Sequence, residues 1–279
     1  MSRIRTYAHE GLRFDVEDSG PEDGEVVVML HGFPQRHTSW RHVAPRLHEA
    51  GLRTLAPDLR GYSPGARPRR RSAYSLQHHV GDTVALAELT GGPVHLLGHD
   101  WGGAIAWSTA GSHPEHVRTL TVVSTPHPRA FKRALGTREQ AARSWYMGAF
   151  QVPFLPELLA GLAPRRFERF LAASGMTAED LERFRTEILA YGALPGGLGI
   201  YRGMPFSASG TGRTVRVPTT YLWSTRDTAL GRPAAEASAA FVKADYDFRV
   251  LEGVSHWVPE HAPDAVADAA LARITGARA

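Results

Sequence analysis

One carboxylate stands where a backbone turn would hold it out for attack. The segment His95-Leu96-Leu97-Gly98-His99-Asp100-Trp101-Gly102-Gly103-Ala104 reads as an apolar strand, a Gly-x-Asp-x-Gly turn and the start of a helix. This is the frame of a nucleophile elbow, with Asp100 in the position that serine usually takes. The glycines let the turn be tight and the neighbouring chain come close, while the central residue carries the strain. The following helix would aim its first N–H groups at Asp100, which favours a carboxylate there. A carboxylate that attacks an alkyl carbon forms an ester, and hydrolysing that ester requires a base to activate water. A purely structural use of Asp100, as the cap of the following helix, competes with this reading.

The base belongs on a loop after the last strand. There the chain reads Leu251-Glu252-Gly253-Val254-Ser255-His256-Trp257-Val258-Pro259, and His256 fits the position. The chain has 14 histidines, so position has to select among them. His37, His42, His78, His79 and His116 read as surface residues without a role. A carboxylate should orient the base and stabilise its imidazolium.

The elements that must position these groups follow an α/β rhythm. Residues 3–18 read as two short strands joined at His9–Gly11. Buried strands are expected at 25–30, 53–58, 93–98, 117–124, 219–224 and 248–251, and helices at 39–50, 75–89 and 101–113. Gly51 and Gly91 sit at expected C-terminal caps. Apolar runs without alternation, separated by helices, indicate a mostly parallel sheet covered on both faces. The rhythm breaks between about residues 128 and 209, where several helix patterns and no convincing strand occur. The clearest helix is 177–191, with Thr177 and Asp180 as a capping box and Leu181, Phe184, Ile188 and Leu189 on one face. The expected organisation is a core of residues 1–127 and 210–279 interrupted by a helical cap over 128–209, with 205–216 as the return linker. The run Arg67-Pro68-Arg69-Arg70-Arg71 reads as a solvated loop.

Composition limits the function classes. The chain has 279 residues, one large domain or one core with an insertion at ~150 residues per domain. It carries 32 basic and 28 acidic residues, a net charge of +4, which is no strong nucleic-acid footprint. It has no cysteine, which excludes disulfides, thiolate metal sites and cysteine nucleophiles. The longest apolar runs are strand-sized, so no membrane-spanning helix is expected, and residues 1–10 lack the apolar stretch of a signal peptide. The expectation is a cytoplasmic protein acting on a small molecule, without metal or cofactor, with a homodimer left open.

Three motifs in order carry a resemblance. Leu30-His31-Gly32-Phe33-Pro34 follows a strand, Asp58-Leu59-Arg60-Gly61-Tyr62 follows the next, and Gly98-His99-Asp100-Trp101-Gly102-Gly103 forms the elbow. Together they resemble the α/β-hydrolase superfamily, and within it the epoxide hydrolases with an aspartate nucleophile, over nearly the whole chain. The resemblance implies an oxyanion hole made by the backbone N–H groups of Phe33 and Trp101, and a cis peptide at Phe33–Pro34. His31 is expected to be a core histidine bonded to backbone. Gly253-Val254-Ser255-His256 matches the family's Gly-x-x-His pattern. Asp227, just past a strand in Trp223-Ser224-Thr225-Arg226-Asp227, stands at the family's usual acid position. Some relatives carry that acid one strand earlier, but Ser124-Thr125-Pro126-His127 offers no carboxylate. Two segments match the cap of epoxide hydrolases, with Tyr146 in Ser144-Trp145-Tyr146-Met147 and Tyr201 in Gly199-Ile200-Tyr201-Arg202. The resemblance makes them donors to the leaving oxygen. Phe33, Trp101, Trp145, Met147 and Phe150 are expected to line an apolar pocket.

A dehalogenase would share the aspartate nucleophile and the histidine. Haloalkane dehalogenases often place Asn where Phe33 stands. Fluoroacetate dehalogenases share His31-Gly32-Phe33-Pro34-Gln35 and a tyrosine matching Tyr201, but carry Arg where this chain has Trp101. A serine-type esterase does not fit the aspartate at the elbow. A non-catalytic, hydrolase-like protein that binds a small molecule is a third reading, although such proteins tend to lose part of the triad.

Overall fold

The computed structural model describes residues 2–207 and 212–277. Strands β1 (Thr6–His9) and β2 (Leu12–Ser19) form a hairpin that turns at Glu10 and Gly11, both with positive φ. They join β3 (Val26–Leu30), β4 (Arg53–Pro57), β5 (Val94–His99), β6 (Val117–Val123), β7 (Thr219–Arg226) and β8 (Tyr246–Ser255). The eight-stranded sheet has the order β1-β2-β4-β3-β5-β6-β7-β8. Only β1/β2 and β2/β4 pair antiparallel; the other neighbours are parallel.

Helices α1 (Ala44–Glu49), α2 (Leu76–Glu88) and α3 (Trp101–Ser112) connect the strands before β6. Between β6 and β7 lie α4 (Pro128–Ala134), α5 (Arg138–Arg143), α6 (Trp145–Ala149), α7 (Leu155–Leu162), α8 (Pro164–Ala173), α9 (Ala178–Arg183) and α10 (Leu194–Gly203). Helices α11 (Arg232–Ala237), α12 (Val258–His261) and α13 (Pro263–Gly276) complete the chain. No helix among the described residues is long and apolar enough to cross a membrane.

Alternation along the strands builds a core on each face. Val27, Met29, Leu97, Val123 and Leu222 pack with Leu47 of α1 and Val266 and Ala270 of α13. Their neighbours Val28, Leu30, Leu96, Val122 and Tyr221 join Leu86 of α2 and Ile105 of α3 on the other face. This double burial is why the strands read as continuous apolar runs. β4 and β5 flank β3 on opposite sides, so the chain reverses its direction of travel across the sheet there. Such a switch point opens a crevice at the carboxyl ends of the strands. The loop His31–Pro34 leaves β3, and Asp100 leaves β5, at that crevice.

Several local expectations change. The single helix expected over 39–50 is a 3-10 turn at His37–Trp40 followed by α1. Pro45 lies in the first turn of α1, where a missing N–H costs nothing, and it would interrupt a continuous helix. The helix expected over 177–191 starts with the capping box intact, as Asp180 N–H donates to Thr177 Oγ1 and Thr177 N–H to Asp180 Oδ2. After Arg183 it widens into a π-helix, Phe184–Ala190, in which Phe184 stacks on Phe167 at 5.5 Å. His79 is buried, not a surface residue. It lies on the face of α2 that also buries Leu76, Val80, Thr83 and Leu86, and burial lowers its pKa to about 3. Arg69, Arg70 and Arg71 are exposed as expected, whereas Arg67 donates to the Tyr62 and Tyr191 carbonyls. In the expected return linker, Met204–Phe206 is a 3-10 turn and Val215 bridges to Val242. Residues 208–211, including the 209/210 boundary, lie outside the described residues.

Candidate active site

Asp100 is the strained residue at the turn. Its φ and ψ are 51° and −121°, a conformation that costs a non-glycine residue roughly 1–3 kcal/mol. Packing imposes it. A Cβ on Gly98 would meet the Gly102 carbonyl oxygen at 2.4 Å, and one on Gly102 would meet that of Leu30 at 2.0 Å. A Cβ on Gly32 would stand 2.4 Å from the Asp100 Cβ. The Asp100 carboxylate makes no capping bond to α3, so the structural use as a cap does not apply. It accepts instead the Phe33 N–H at Oδ2, 2.8 Å away. Thr125 Oγ1 donates to the Asp100 carbonyl at 2.7 Å and steadies the turn.

Phe33 is held by the loop after β3, and its bond to Pro34 is cis, as the resemblance implied. Buried His31 anchors that loop. Its Nε2 accepts the Leu59 N–H at 3.0 Å and its Nδ1 lies 3.0 Å from the Gly32 carbonyl. Desolvation lowers its pKa to about 4, which suits the neutral ring that this pattern needs. The Trp101 N–H opens α3 beside the carboxylate, but among the described residues it makes no hydrogen bond to it.

His256 comes from the loop after β8. Its Nδ1 lies 2.7 Å from Asp227 Oδ2, and its Nε2 lies 3.7 Å from Asp100 Oδ1. The second distance is that of an ion pair and too long for a hydrogen bond. Burial opposes the charged imidazolium, yet Asp227, followed by Asp100, overcomes it and raises the His256 pKa to about 10. For Asp100, burial again opposes charge, and the His256 side chain, then His99 and the Phe33 N–H, hold its pKa below the ordinary value. Asp227 is also a turn aspartate, because its Oδ1 accepts the N–H groups of Ala229 and Leu230 at 2.8 and 2.9 Å. The turn fixes one oxygen and leaves the other for His256.

Two cavities meet at Asp100, Tyr146 and Tyr201. The larger, about 890 Å³, also meets Trp101 and Met147; the smaller, about 650 Å³, meets Phe33, Phe150 and His256. Trp145 lines the smaller one from its rim and is 63 % exposed, less enclosed than expected for a pocket wall. Trp145 opens α6, and its ring stands edge-on to Phe170 at 6.0 Å. Tyr201, on α10, is buried edge-on between the rings of Phe33, Trp101 and Phe150, with centroids 5.0–5.2 Å away. Burial first, and then nearby negative charge at Asp100, push the Tyr146 hydroxyl pKa well up. Burial, Tyr146 and Asp100 do the same at Tyr201. Both phenols therefore stay protonated and can donate.

Three supporting residues escaped the sequence reading. His99 Nε2 donates to the His256 carbonyl at 2.9 Å, and Ser124 Oγ donates to the same oxygen at 3.0 Å. Arg143 Nη1 donates to the Asp227 carbonyl at 2.9 Å. His99 lies within the elbow motif itself, but its use depends on a loop 157 positions away. Ser124 sits where only a carboxylate was sought.

Together these groups offer a carboxylate, a histidine paired with a second carboxylate, and two phenol donors around one space. Comparison with known proteins gives the same architecture. A family model described as alpha/beta hydrolase fold matches residues 25–263. The mouse protein named Epoxide hydrolase 4 is 32% identical over 268 residues, covering 92% of this chain and 74% of that one. The AB hydrolase superfamily protein YfhM of Bacillus subtilis is 30% identical, with 91% of each chain covered. Among solved structures, Epoxide Hydrolase A from Mycobacterium thermoresistibile superposes with a TM-score of 0.82 at 25% identity, covering 98% of both chains. Because the match runs from the start of β3 to the start of α13 and includes every parallel strand, the chain belongs to the alpha/beta hydrolase fold family.

Proposed function

We propose that this chain is an epoxide hydrolase that opens an apolar epoxide to a vicinal diol through a covalent aspartyl ester. The observation that carries the reading is the convergence of Tyr146, Tyr201 and Asp100 on both cavities. In this reading residues 128–209 form a cap that supplies the tyrosines, and residues 1–127 and 210–279 form the core that supplies the triad. The epoxide-hydrolase names among its relatives support the same activity.

The Phe33 N–H occupies Asp100 Oδ2, which leaves Oδ1 to attack. Oδ1 bonds to an oxirane carbon as the C–O bond breaks, and the departing oxygen takes a proton from Tyr146 or Tyr201. His256, protonated at rest, passes that proton to the tyrosinate; the neutral ring then removes a proton from water, and the hydroxide adds to the ester carbonyl carbon. The oxyanion forms at Oδ2, where the Phe33 N–H already points and the Trp101 N–H is the second donor. Collapse expels the diol oxygen, which takes the proton from His256. The proton left on the Asp100 carboxyl restores the resting imidazolium of His256, and epoxide plus water has become diol.

The test is a panel of epoxides and alkyl halides with mass detection of products, alongside intact-protein mass of His256→Gln. Diol without halide release, and an adduct on His256→Gln that vanishes when Asp100→Ala is added, are expected. Halide release without diol would overturn the reading in favour of a dehalogenase, and ligand binding with no turnover at all would favour a binding protein.

A further inference from the structure

Four exposed cations line the larger cavity. Three of its cations, Arg129, Lys132 and Arg133, lie on α4 at positions i, i+3 and i+4, which share one helix face. Arg213 approaches from the chain that leads to β7. Two of the guanidiniums are anchored: those of Arg129 and Arg133 lie 4.9 and 5.0 Å from the ring centre of buried Phe241. None of the four cations pairs with a carboxylate among the described residues. Like charges one turn apart repel, so this grouping costs stability unless an anion joins it. In the smaller cavity, by contrast, Arg143 is already paired with Glu139 at 3.3 Å.

The four cations are exposed whereas the Asp100 side chain is only 15 % so, and the lining they share includes the apolar side chains of Phe131, Leu135, Met147 and Ile200. Among the described residues, Asp100 is the only acidic one in the lining. An amphiphile therefore has one favourable direction. Its anionic end is repelled by Asp100 and attracted to the mouth, which leaves the uncharged end at the nucleophile.

We propose that this cavity selects epoxides whose far end carries an anionic group, carboxylate or sulfate, held by Arg129, Lys132, Arg133 and Arg213. The inference rests on the epoxide-hydrolase reading for its chemistry, and its binding part can be tested apart from it. Octanoate, octyl sulfate and octanol, which carry no oxirane, are titrated into the protein by calorimetry. Medium-chain terminal epoxides ending in a carboxylate or a primary alcohol are compared by kcat/KM. The anions should bind roughly tenfold tighter than octanol, and the charged epoxide should be preferred by a similar factor. The preference should shrink between low salt and about 0.5 M salt, since exposed charges are screened. It should fall towards one in the combined variant Arg129→Gln, Lys132→Gln, Arg133→Gln and Arg213→Gln. Preference for only one of the two anions supports the proposal and names the group. Equal binding of octanoate and octanol by the wild type, or a preference that survives both salt and neutralisation, overturns it. If neither epoxide is opened while the anion preference stands, the epoxide reading fails and the anion site remains; epoxides opened without charge preference give the reverse.

Discussion

The Phe33 N–H holds Asp100 Oδ2 at 2.8 Å, so the two oxygens of one carboxylate are no longer equivalent. One already holds an oxyanion donor, and the other, Oδ1, lies 3.7 Å from His256 Nε2. Water that enters through ester hydrolysis must then end up on Asp100. A single turnover in heavy-oxygen water should label the enzyme and leave the diol unlabelled, as read by peptide and product mass. Label in the first-turnover diol would mean direct attack of water on the epoxide.

Tyr146 and Tyr201 have ring centres 6.1 Å apart and both stay protonated. Tyr→Phe removes only the hydroxyl. Each single change should slow alkylation about 10–100-fold, because one donor still covers the leaving oxygen. The double change should cost far more than either, since a single such donor is typically worth about 3–4 kcal/mol. Pre-steady-state alkylation, with circular dichroism as the folding control, makes the measurement. A folded double variant that opens epoxides at the wild-type rate would remove both tyrosines from the mechanism.

His256 is held protonated in the resting enzyme, with its pKa raised to about 10, and a protonated imidazole cannot act as base. Esterification removes the negative charge of Asp100, one of the groups that sustain this pKa. The His256 pKa should therefore fall once the ester forms, making the base available in the step that needs it. Asp100→Asn, a neutral stand-in for the ester, should lower the His256 pKa seen by NMR by on the order of one to two units. Single-turnover hydrolysis of the ester should rise with pH through the lower value. Identical titration in wild type and Asp100→Asn would show that Asp100 does not control the base.

Asp180 links the segment between β6 and β7 to the His256 loop. Its Oδ2 lies 3.0 Å from His261 Nε2, and His261 Nδ1 lies 2.8 Å from Ser255 Oγ, next to His256. Burial opposes the Asp180 charge, but His261 and the Thr177 backbone and hydroxyl outweigh it and lower its pKa to about 2. A depressed carboxylate pKa stabilises the fold above the unfolded value and loses that contribution as pH falls through the folded one. Asp180→Ala should therefore cost about 1–2 kcal/mol near neutral pH, through the lost cap and the stranded His261, and less as pH approaches about 2. Urea denaturation across pH makes the comparison. A pH-independent difference would assign the effect to packing alone.

What the sequence by itself determined is the set of features fixed by near neighbours. At the Asp100 elbow Gly98 is crowded by its near neighbours, the Gly102 carbonyl and Ala106, whereas Gly102 and Gly103 are kept small by Leu30, Val122 and Thr125 of other segments. The Thr177–Asp180 capping box closes within one helical turn. The parallel strands show as unbroken apolar runs because both faces are buried. What only the tertiary structure decided joins residues far apart in the chain. His79 had the helical spacing of a buried position, but its polarity made it read as surface. Trp145 looks like a pocket wall by composition and stands on the rim, edge-on to Phe170 from a different helix. His99 and Ser124 converge on the carbonyl of His256 only after β5, β6 and β8 are aligned in one sheet. The four cations of the larger cavity meet only because α4 and the approach to β7 come to the same mouth. Local conformational strain and hydrophobic periodicity are written over a few residues, whereas charge convergence and burial depend on which distant elements pack together.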